Sequence, residues 1–167
     1  MAALTGGRGG QKCLFVAQGS TMVAEYAGID KSQGRQRGAT MSEDRRMMPT
    51  EALFMADADI ERVKIESVEG VKEPEGLYLK VLMVTDNMLV FKAWKMRGIT
   101  DPWQVHEDHE SVATLLEGKL RMHIGDETFI CEPGDVWRHP QGVWHMSEAL
   151  EDCVLIEIKS PARKTWT

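Results

Sequence analysis

The chain is poor in the features that assign a protein to a membrane, secreted or nucleic-acid-binding class. None of its apolar runs approaches the roughly 18 residues of a membrane-spanning helix. Its formal net charge is −6, and no lysine- or arginine-rich stripe accompanies its histidines, which argues against a nucleic-acid partner because phosphate binding needs clustered positive charge. Its three cysteines form no CxxC pair, which favours reduced thiols. These absences predict a cytoplasmic protein with neither a membrane nor a nucleic-acid partner.

The remaining composition suits one globular domain preceded by a different kind of segment. Of the 167 residues, 43% are hydrophobic and 28% are charged, which is ordinary for a soluble domain with a real core. The first 48 residues hold eight of the 15 glycines and carry seven basic against four acidic side chains. We therefore predict that residues 1–48 form an arm that is flexible or packs on a partner subunit, and that residues 49–167 form a single domain.

Short strands dominate the pattern from about residue 58 onward. Apolar or alternating runs of four to nine residues follow one another, and turns, mostly with glycine or proline, separate them. The predicted strands are 62–66, 77–84, 88–96, 110–116, 119–124, 127–131, 135–138, 144–147 and 153–159. Many short strands at close spacing predict an all-β sandwich or barrel.

Histidine is the residue type that carries the candidate chemistry. All five histidines lie in one 40-residue window, as His106, His109, His123, His139 and His145. Imidazole is largely uncharged near neutral pH and offers a lone pair, which makes it the commonest side-chain metal ligand. Histidines that are only hydrogen-bonded could also cluster in this way. The spacing between them therefore has to distinguish a metal site from a structural role.

The spacing from Gly134 to His145 resembles a family motif. The segment reads GDVWRHPQGVWH, which resembles the second motif of the cupin family, G(x)5PxG(x)2H. Pro140 fixes φ and Gly142 can adopt a positive φ, so the turn between them can present His145 at the start of the return strand. The asparagine that the family usually has four residues later is Ala149 here.

The first cupin motif, G(x)5HxH(x)3,4E(x)6G, is matched only in part. Gly118 suits its closing glycine, but Ser111 stands where the family places a glutamate ligand, and the two histidines are three residues apart instead of two. Two ligand sets follow. One is His106, His109 and His145; the other, which uses the alternation of strand side chains, is Glu107, His109 and His145.

The resemblance covers about residues 60–160 and implies a fold, a metal and an assembly. It implies a double-stranded β-helix (a cupin, or jelly-roll, barrel), one divalent transition metal near the barrel mouth and commonly a homodimer. Glu107 and His139 are the candidates for moving a proton. Candidates for contacting a small-molecule ligand are Trp137, Arg138 and Arg121.

The activity stays open, because one fold hosts many chemistries. We favour a metal-dependent enzyme, holding iron, nickel, zinc or manganese, that acts on a small carbonyl, enol or carboxylate compound as an oxygenase, isomerase, cyclase or lyase. The alternatives are an enzyme of sugar acids such as unsaturated uronates and a non-enzymatic cupin that binds or senses a small molecule.

Overall fold

The computed structural model describes residues 45–167. The predicted arm, residues 1–48, therefore lies almost wholly outside the described residues. Its last residues run antiparallel to the C-terminal segment: the Lys164 N–H donates to the Arg45 carbonyl at 2.8 Å, and the Met47 N–H donates to the Ala162 carbonyl at 3.2 Å. Residues 45–47 are thus held by main-chain hydrogen bonds against residues 162–164.

Eleven short strands make up nearly half of the described residues. They are β1 (Val63–Lys64), β2 (Ser67–Val68), β3 (Val71–Lys72), β4 (Leu77–Val84), β5 (Leu89–Lys95), β6 (Glu110–Glu117), β7 (Leu120–Ile124), β8 (Glu127–Cys131), β9 (Val136–His139), β10 (His145–Ala149) and β11 (Cys153–Ser160). A 3-10 helix, Asp57–Asp59, precedes them, and no helix within residues 45–167 is long and apolar enough to cross a membrane. Every predicted strand is present with ends within two residues, whereas β2 and β3 are strands that the sequence does not predict.

The strands form two facing antiparallel sheets and a small hairpin. The larger sheet has the order β1-β4-β5-β11-β6-β9, the smaller has the order β10-β7-β8, and β2 pairs with β3. Isolated bridges join Thr100 to Glu148 and Gln104 to His145, which extends the smaller sheet beyond β10. This arrangement confirms the predicted all-β fold, a double-stranded β-helix.

Strand alternation decides which side chains reach the interior. In β5, Leu89, Phe91, Ala93 and Lys95 are buried while the residues between them are half-buried. The same period-two pattern recurs in β6, β10 and β11, because successive side chains of a strand point to opposite faces. The sheets therefore enclose a core of mostly apolar residues that also admits a few polar ones.

One turn brings two histidine-bearing segments together. Between β9 and β10, Gly142 has φ +74°, and its N–H donates to the His106 carbonyl at 2.8 Å. The Gln141 side chain donates to the Glu107 carbonyl at 2.6 Å. The turn predicted to present His145 is thus tied to the loop before β6.

Candidate metal centre

Four of the five histidines meet inside the barrel. The ring centroids of His106 and His109 are 4.2 Å apart, those of His106 and His145 are 4.8 Å apart, and those of His139 and His145 are 4.2 Å apart. All four are buried, and three of them, His109 excepted, line a cavity of about 110 Å³ between the sheets. His123 lies elsewhere, with its Nδ1 2.8 Å from Thr128 Oγ1.

Carboxylates hold the two histidines of the loop before β6. The Nδ1–H of His106 donates to Glu69 Oε1 at 3.1 Å, and that of His109 donates to Asp108 Oδ1 at 2.9 Å. A carboxylate on Nδ1 fixes the tautomer and leaves the Nε2 lone pair free, as in histidines that bind metals. The Nε2 atom of His109 is buried and has no partner in the described residues.

His145 has a matching arrangement on the other side of the cluster. Its Nδ1–H donates to the Val143 carbonyl at 3.1 Å, so its Nε2 also keeps a free lone pair. It stands at the first position of β10, three residues after the end of the Pro140–Gly142 turn. The strand and the turn together set the direction of this ring.

Glu69 is a candidate ligand that the sequence does not predict. Glu69, His106 and His109 each offer a ligand atom, and these atoms all lie within 4.8 Å of one another. Glu69 and Gly70 form the two-residue turn of the β2–β3 hairpin, with φ of +50° and +76°. Such positive φ values are typical of a type I′ turn, and a non-glycine residue there is a feature that recurs at functional sites.

Arg45 connects the two carboxylates that hold these histidines. Its guanidinium donates to Glu69 Oε2 and, at 2.7 Å, to Asp108 Oδ1. Partial burial acts to raise the pKa of Asp108, but its hydrogen bonds with His109 and Arg45 keep that pKa below the usual value. A residue of the predicted arm thus helps to orient both histidines, although the sequence predicts no chemistry there.

Burial keeps the clustered imidazoles neutral. Desolvation is the largest cause that lowers the pKa of His106, His109 and His145, and it holds the pKa of His139 well below the usual value. The charge of Lys159 lowers these pKa values further. Neutral imidazoles with free lone pairs are the form that binds a metal.

His139 differs because both of its ring nitrogens are already engaged. The Trp137 Nε1–H donates to His139 Nε2 at 3.1 Å, and His139 Nδ1 is 2.9 Å from Ser111 Oγ. Since an indole N–H can only donate, Nε2 accepts and Nδ1 carries the proton. His139 and Trp137 both line the cavity, and the hydrogen bonds fix the His139 ring as part of its wall.

Three predicted site residues lie outside this cavity. Glu107 is exposed because residues 106–108 are not part of a strand and β6 begins only at Glu110, so the predicted alternation does not reach it. Arg121 sits on the outer face of β7 and pairs with Glu148, and Arg138 is exposed on β9. The structure therefore does not bring Glu107, Arg121 or Arg138 together with the histidines.

The basic groups that do line the cavity are lysines. Lys95 Nζ lies 2.6 Å from Asp101 Oδ1 and also donates to the Ser147 carbonyl at 2.9 Å and to Ser147 Oγ at 2.7 Å. Lys159 Nζ donates to Thr165 Oγ1 at 2.6 Å. Strand alternation places both lysines inward, at the ends of β5 and β11.

The donor set fits a divalent transition metal. Imidazole nitrogens with one carboxylate suit zinc, nickel, iron and manganese. The unpartnered Nε2 of His109 is the kind of buried polar atom that a metal would satisfy. The residues present therefore form a candidate His/Glu metal site.

Fold and site together define a small double-stranded β-helix that carries a candidate metal site. A family model described as a cupin domain matches residues 95–159, a range that contains all five histidines. Residues 95–159 therefore form a cupin domain, as the second motif predicts.

Solved structures share this fold at low identity. KdgF from Halomonas sp. is 22% identical with a TM-score of 0.59, over 66% of this chain and 95% of that one. An RmlC-like cupin from Shewanella frigidimarina is 24% identical with a TM-score of 0.59, over 71% and 97%. A predicted oxalate decarboxylase from Thermotoga maritima is 18% identical with a TM-score of 0.56, over 64% and 96%. These likenesses show the fold alone, and none of the curated proteins matches the chain.

Proposed function

We propose that this cupin domain binds one divalent transition metal through the Nε2 atoms of His106, His109 and His145. In this proposal it is an enzyme that acts on a small carbonyl, enol or carboxylate compound. The observation that carries it is the matched state of the three rings: each Nδ1 donates to an oxygen, and each Nε2 is left free. Three free lone pairs in one buried cluster have no structural use, because a neutral histidine that serves only packing normally finds a partner for both nitrogens.

Glu69 takes the role of an orienting group in this proposal. It lies on the Nδ1 side of His106, where the Arg45 guanidinium also binds it. A metal ion on that side would face the positive charge of Arg45, whereas the His106 ring itself lines the cavity and its centroid lies 4.8 Å from that of His145. The competing set is Glu69 with His106 and His109, whose ligand atoms all lie within 4.8 Å of one another, a distance that the set with His145 does not meet; the two sets are separated by experiment below.

The metal, when bound, supplies a Lewis acid that polarises a substrate oxygen. The chain's own residues supply the surroundings. Trp137 and Ser111 hold His139 in its neutral form against the His145 ring, which we assign as a positioning role. Glu157 lines the cavity as a half-buried carboxylate and is placed to accept a proton from a bound molecule.

Metal content of purified variants tests the ligand set. We expect wild-type protein, incubated with each ion and dialysed, to hold one metal per chain by plasma mass spectrometry. His109→Ala and His145→Ala should each lower the affinity by more than the 10- to 100-fold that is typical of an orienting residue, and Glu69→Gln should stay within that range. If Glu69 is a ligand instead, Glu69→Gln loses the metal and His145→Ala keeps it.

His123→Ala is the matched control, because it removes a histidine of the same window that lies outside the cluster. It should keep full metal content. Wild-type protein that takes up none of the ions, or equal metal content in wild type, His109→Ala and His145→Ala, would contradict the proposal.

We also propose that the protein is a homodimer through the outer face of the larger sheet. Neighbouring strands expose apolar side chains there, namely Val112 and Leu116 of β6, Val136 of β9 and Ile158 of β11. Val112 and Ile158 are cross-strand partners, so the exposed residues adjoin. Contiguous apolar surface of this kind marks protein interfaces more often than free surface.

A further inference from the structure

We infer that the cavity binds a small organic acid and that Lys159 binds its carboxylate. This inference rests on the proposed function, since it assigns the substrate class of the same cavity. Lys159 is the next-to-last residue of β11 and points inward, with Leu89 of β5 and Ser111 of β6 as its cross-strand partners. It is 3% exposed and lines the cavity.

Lys159 lacks the carboxylate partner that a buried ammonium normally has, although its Nζ lies 5.4 Å from the centroid of the Phe91 ring. Its one hydrogen bond is to Thr165 Oγ1, and no carboxylate within residues 45–167 forms an ion pair with it. Lys95 is the internal comparison: it is equally buried, but it donates hydrogen bonds to two Ser147 oxygens and forms an ion pair with Asp101. Burying a charge without a counter-ion costs several kcal/mol, and this cost is removed if the cavity receives an anion.

The other charges around the cavity favour the same ligand. The three proposed metal ligands are neutral imidazoles, so they leave the charge of the ion uncompensated. Asp101 is already paired with Lys95, and Glu157 is the remaining carboxylate that lines the cavity. A divalent metal together with Lys159 therefore outweighs Glu157, and the cavity attracts negative charge.

The position of Lys159 relative to the histidines suits a molecule that reaches both. Its cross-strand neighbour Ser111 pairs in turn with His139, whose ring stacks on His145 at 4.2 Å. The cavity is about 110 Å³, well below the roughly 300–1,000 Å³ of sites for drug-sized ligands. An acid of a few heavy atoms fits, with its carboxylate on Lys159 and its other oxygens toward the histidines.

Calorimetric titration of the metal-reconstituted protein tests this assignment. The probes are pyruvate and malonate, each beside its neutral amide, pyruvamide and malonamide. We expect wild type to bind the acids at least tenfold more tightly than the amides. Lys159→Met should weaken binding of the acids at least tenfold, leave the amides unchanged and keep the metal content, because an ammonium is not a ligand. Lys119→Met removes the same charge from a surface lysine paired with Glu132 and should change nothing.

Several results would overturn the inference: acids that bind no better than amides, acids that do not bind to wild type, or equal binding to wild type and Lys159→Met. If Lys159→Met does not fold, the comparison of acid with amide in wild type still decides. The metal proposal fails separately, if wild-type protein holds no metal. In that case the same acid and amide titrations on the metal-free protein still test the role of Lys159.

Discussion

Glu73 is a buried carboxyl group whose ionisation is coupled to folding. It is 4% exposed, its Oε1 accepts a hydrogen bond from Gln104 Nε2, and its Oε2 has no partner in the described residues. Burial, and then the charge of Asp101, raise its pKa to about 8, while Lys95 acts in the opposite direction. The folded protein therefore keeps a proton on Glu73 that the unfolded chain releases at its ordinary pKa of 4.5.

We expect Glu73→Gln to flatten the pH dependence of stability. Between the two pKa values the native state binds more protons than the unfolded state, so the free energy of unfolding falls as pH rises, by at most about 1.4 kcal/mol per pH unit. The glutamine cannot ionise and should be progressively more stable than wild type as pH rises from about 5 to 8. Urea unfolding of both proteins across this range measures the difference.

The matched control is Glu75→Gln, whose carboxyl group is 90% exposed and pairs with Lys64. It should shift stability by a similar small amount at every pH. A constant difference between wild type and Glu73→Gln across the range would show that Glu73 ionises normally in the folded protein. The buried histidines titrate in both proteins alike and cancel in the comparison.

For single residues, the sequence predicts which histidines form the site better than it predicts which residues hold them. His106, His109, His139 and His145 do meet inside the barrel, because the motif spacing is local and strand alternation is regular. Their partners depend on chain that is distant in sequence: Glu69 lies 37 residues before His106, and Arg45 lies 63 residues before Asp108. Local pattern carries no information about such contacts.

Among the elements, the β6–β7 turn depends on Gly118 for two reasons. Its φ is +85°, and a Cβ at this position would lie 2.1 Å from the Asp152 carbonyl oxygen. Gly134, in the β8–β9 connection, has φ +97° but nothing within 4 Å of such a Cβ. Alanine substitutions at Gly118 and Gly134 therefore separate the cost of a positive φ from the cost of a steric clash.

We expect Gly118→Ala to be about 1–3 kcal/mol more destabilising than Gly134→Ala, since both disturb a positive φ but only the first clashes with main chain. Urea denaturation midpoints of the two variants measure this difference. Equal loss of stability in both would mean that the β6–β7 turn can move away from Asp152 at no cost.

Two elements show why pattern alone leaves part of the fold open. The β2–β3 hairpin has strands of two residues, too short for any period, although the Glu69–Gly70 pair between Val68 and Val71 is a turn signal. In β11 the more apolar face is that of Val154, Ile156 and Ile158, so alternation alone would place that face inside. The structure buries Cys153, Leu155 and Lys159 and leaves Ile158 outside.

For the whole molecule, the homodimer proposal makes a direct prediction. Light scattering at micromolar concentration should give twice the 18.8 kDa chain mass. Ile158→Arg places a charge on the outer apolar face and should shift the mass to that of the monomer, because a buried unpaired charge at an interface is costly. A monomeric wild type would refute the proposal.

Ile130→Arg is the control, since Ile130 is a similarly exposed isoleucine, 42% against 38%, on the smaller sheet. It should leave the dimer intact. If Ile130→Arg dissociates the protein and Ile158→Arg does not, the interface lies on the smaller sheet instead.

By itself the sequence determined the class of fold, most strand limits and the residues that would supply imidazoles, because each rests on period-two alternation and turn residues acting over a few positions. Only the closure of two sheets decided which polar groups share the interior. It put Glu107, Arg121 and Arg138 outside and brought Glu69, Arg45 and Lys159 to the histidines. Burial then set their chemistry, because the residues on the neighbouring strands determine whether a buried side chain is charged and whether it has a partner.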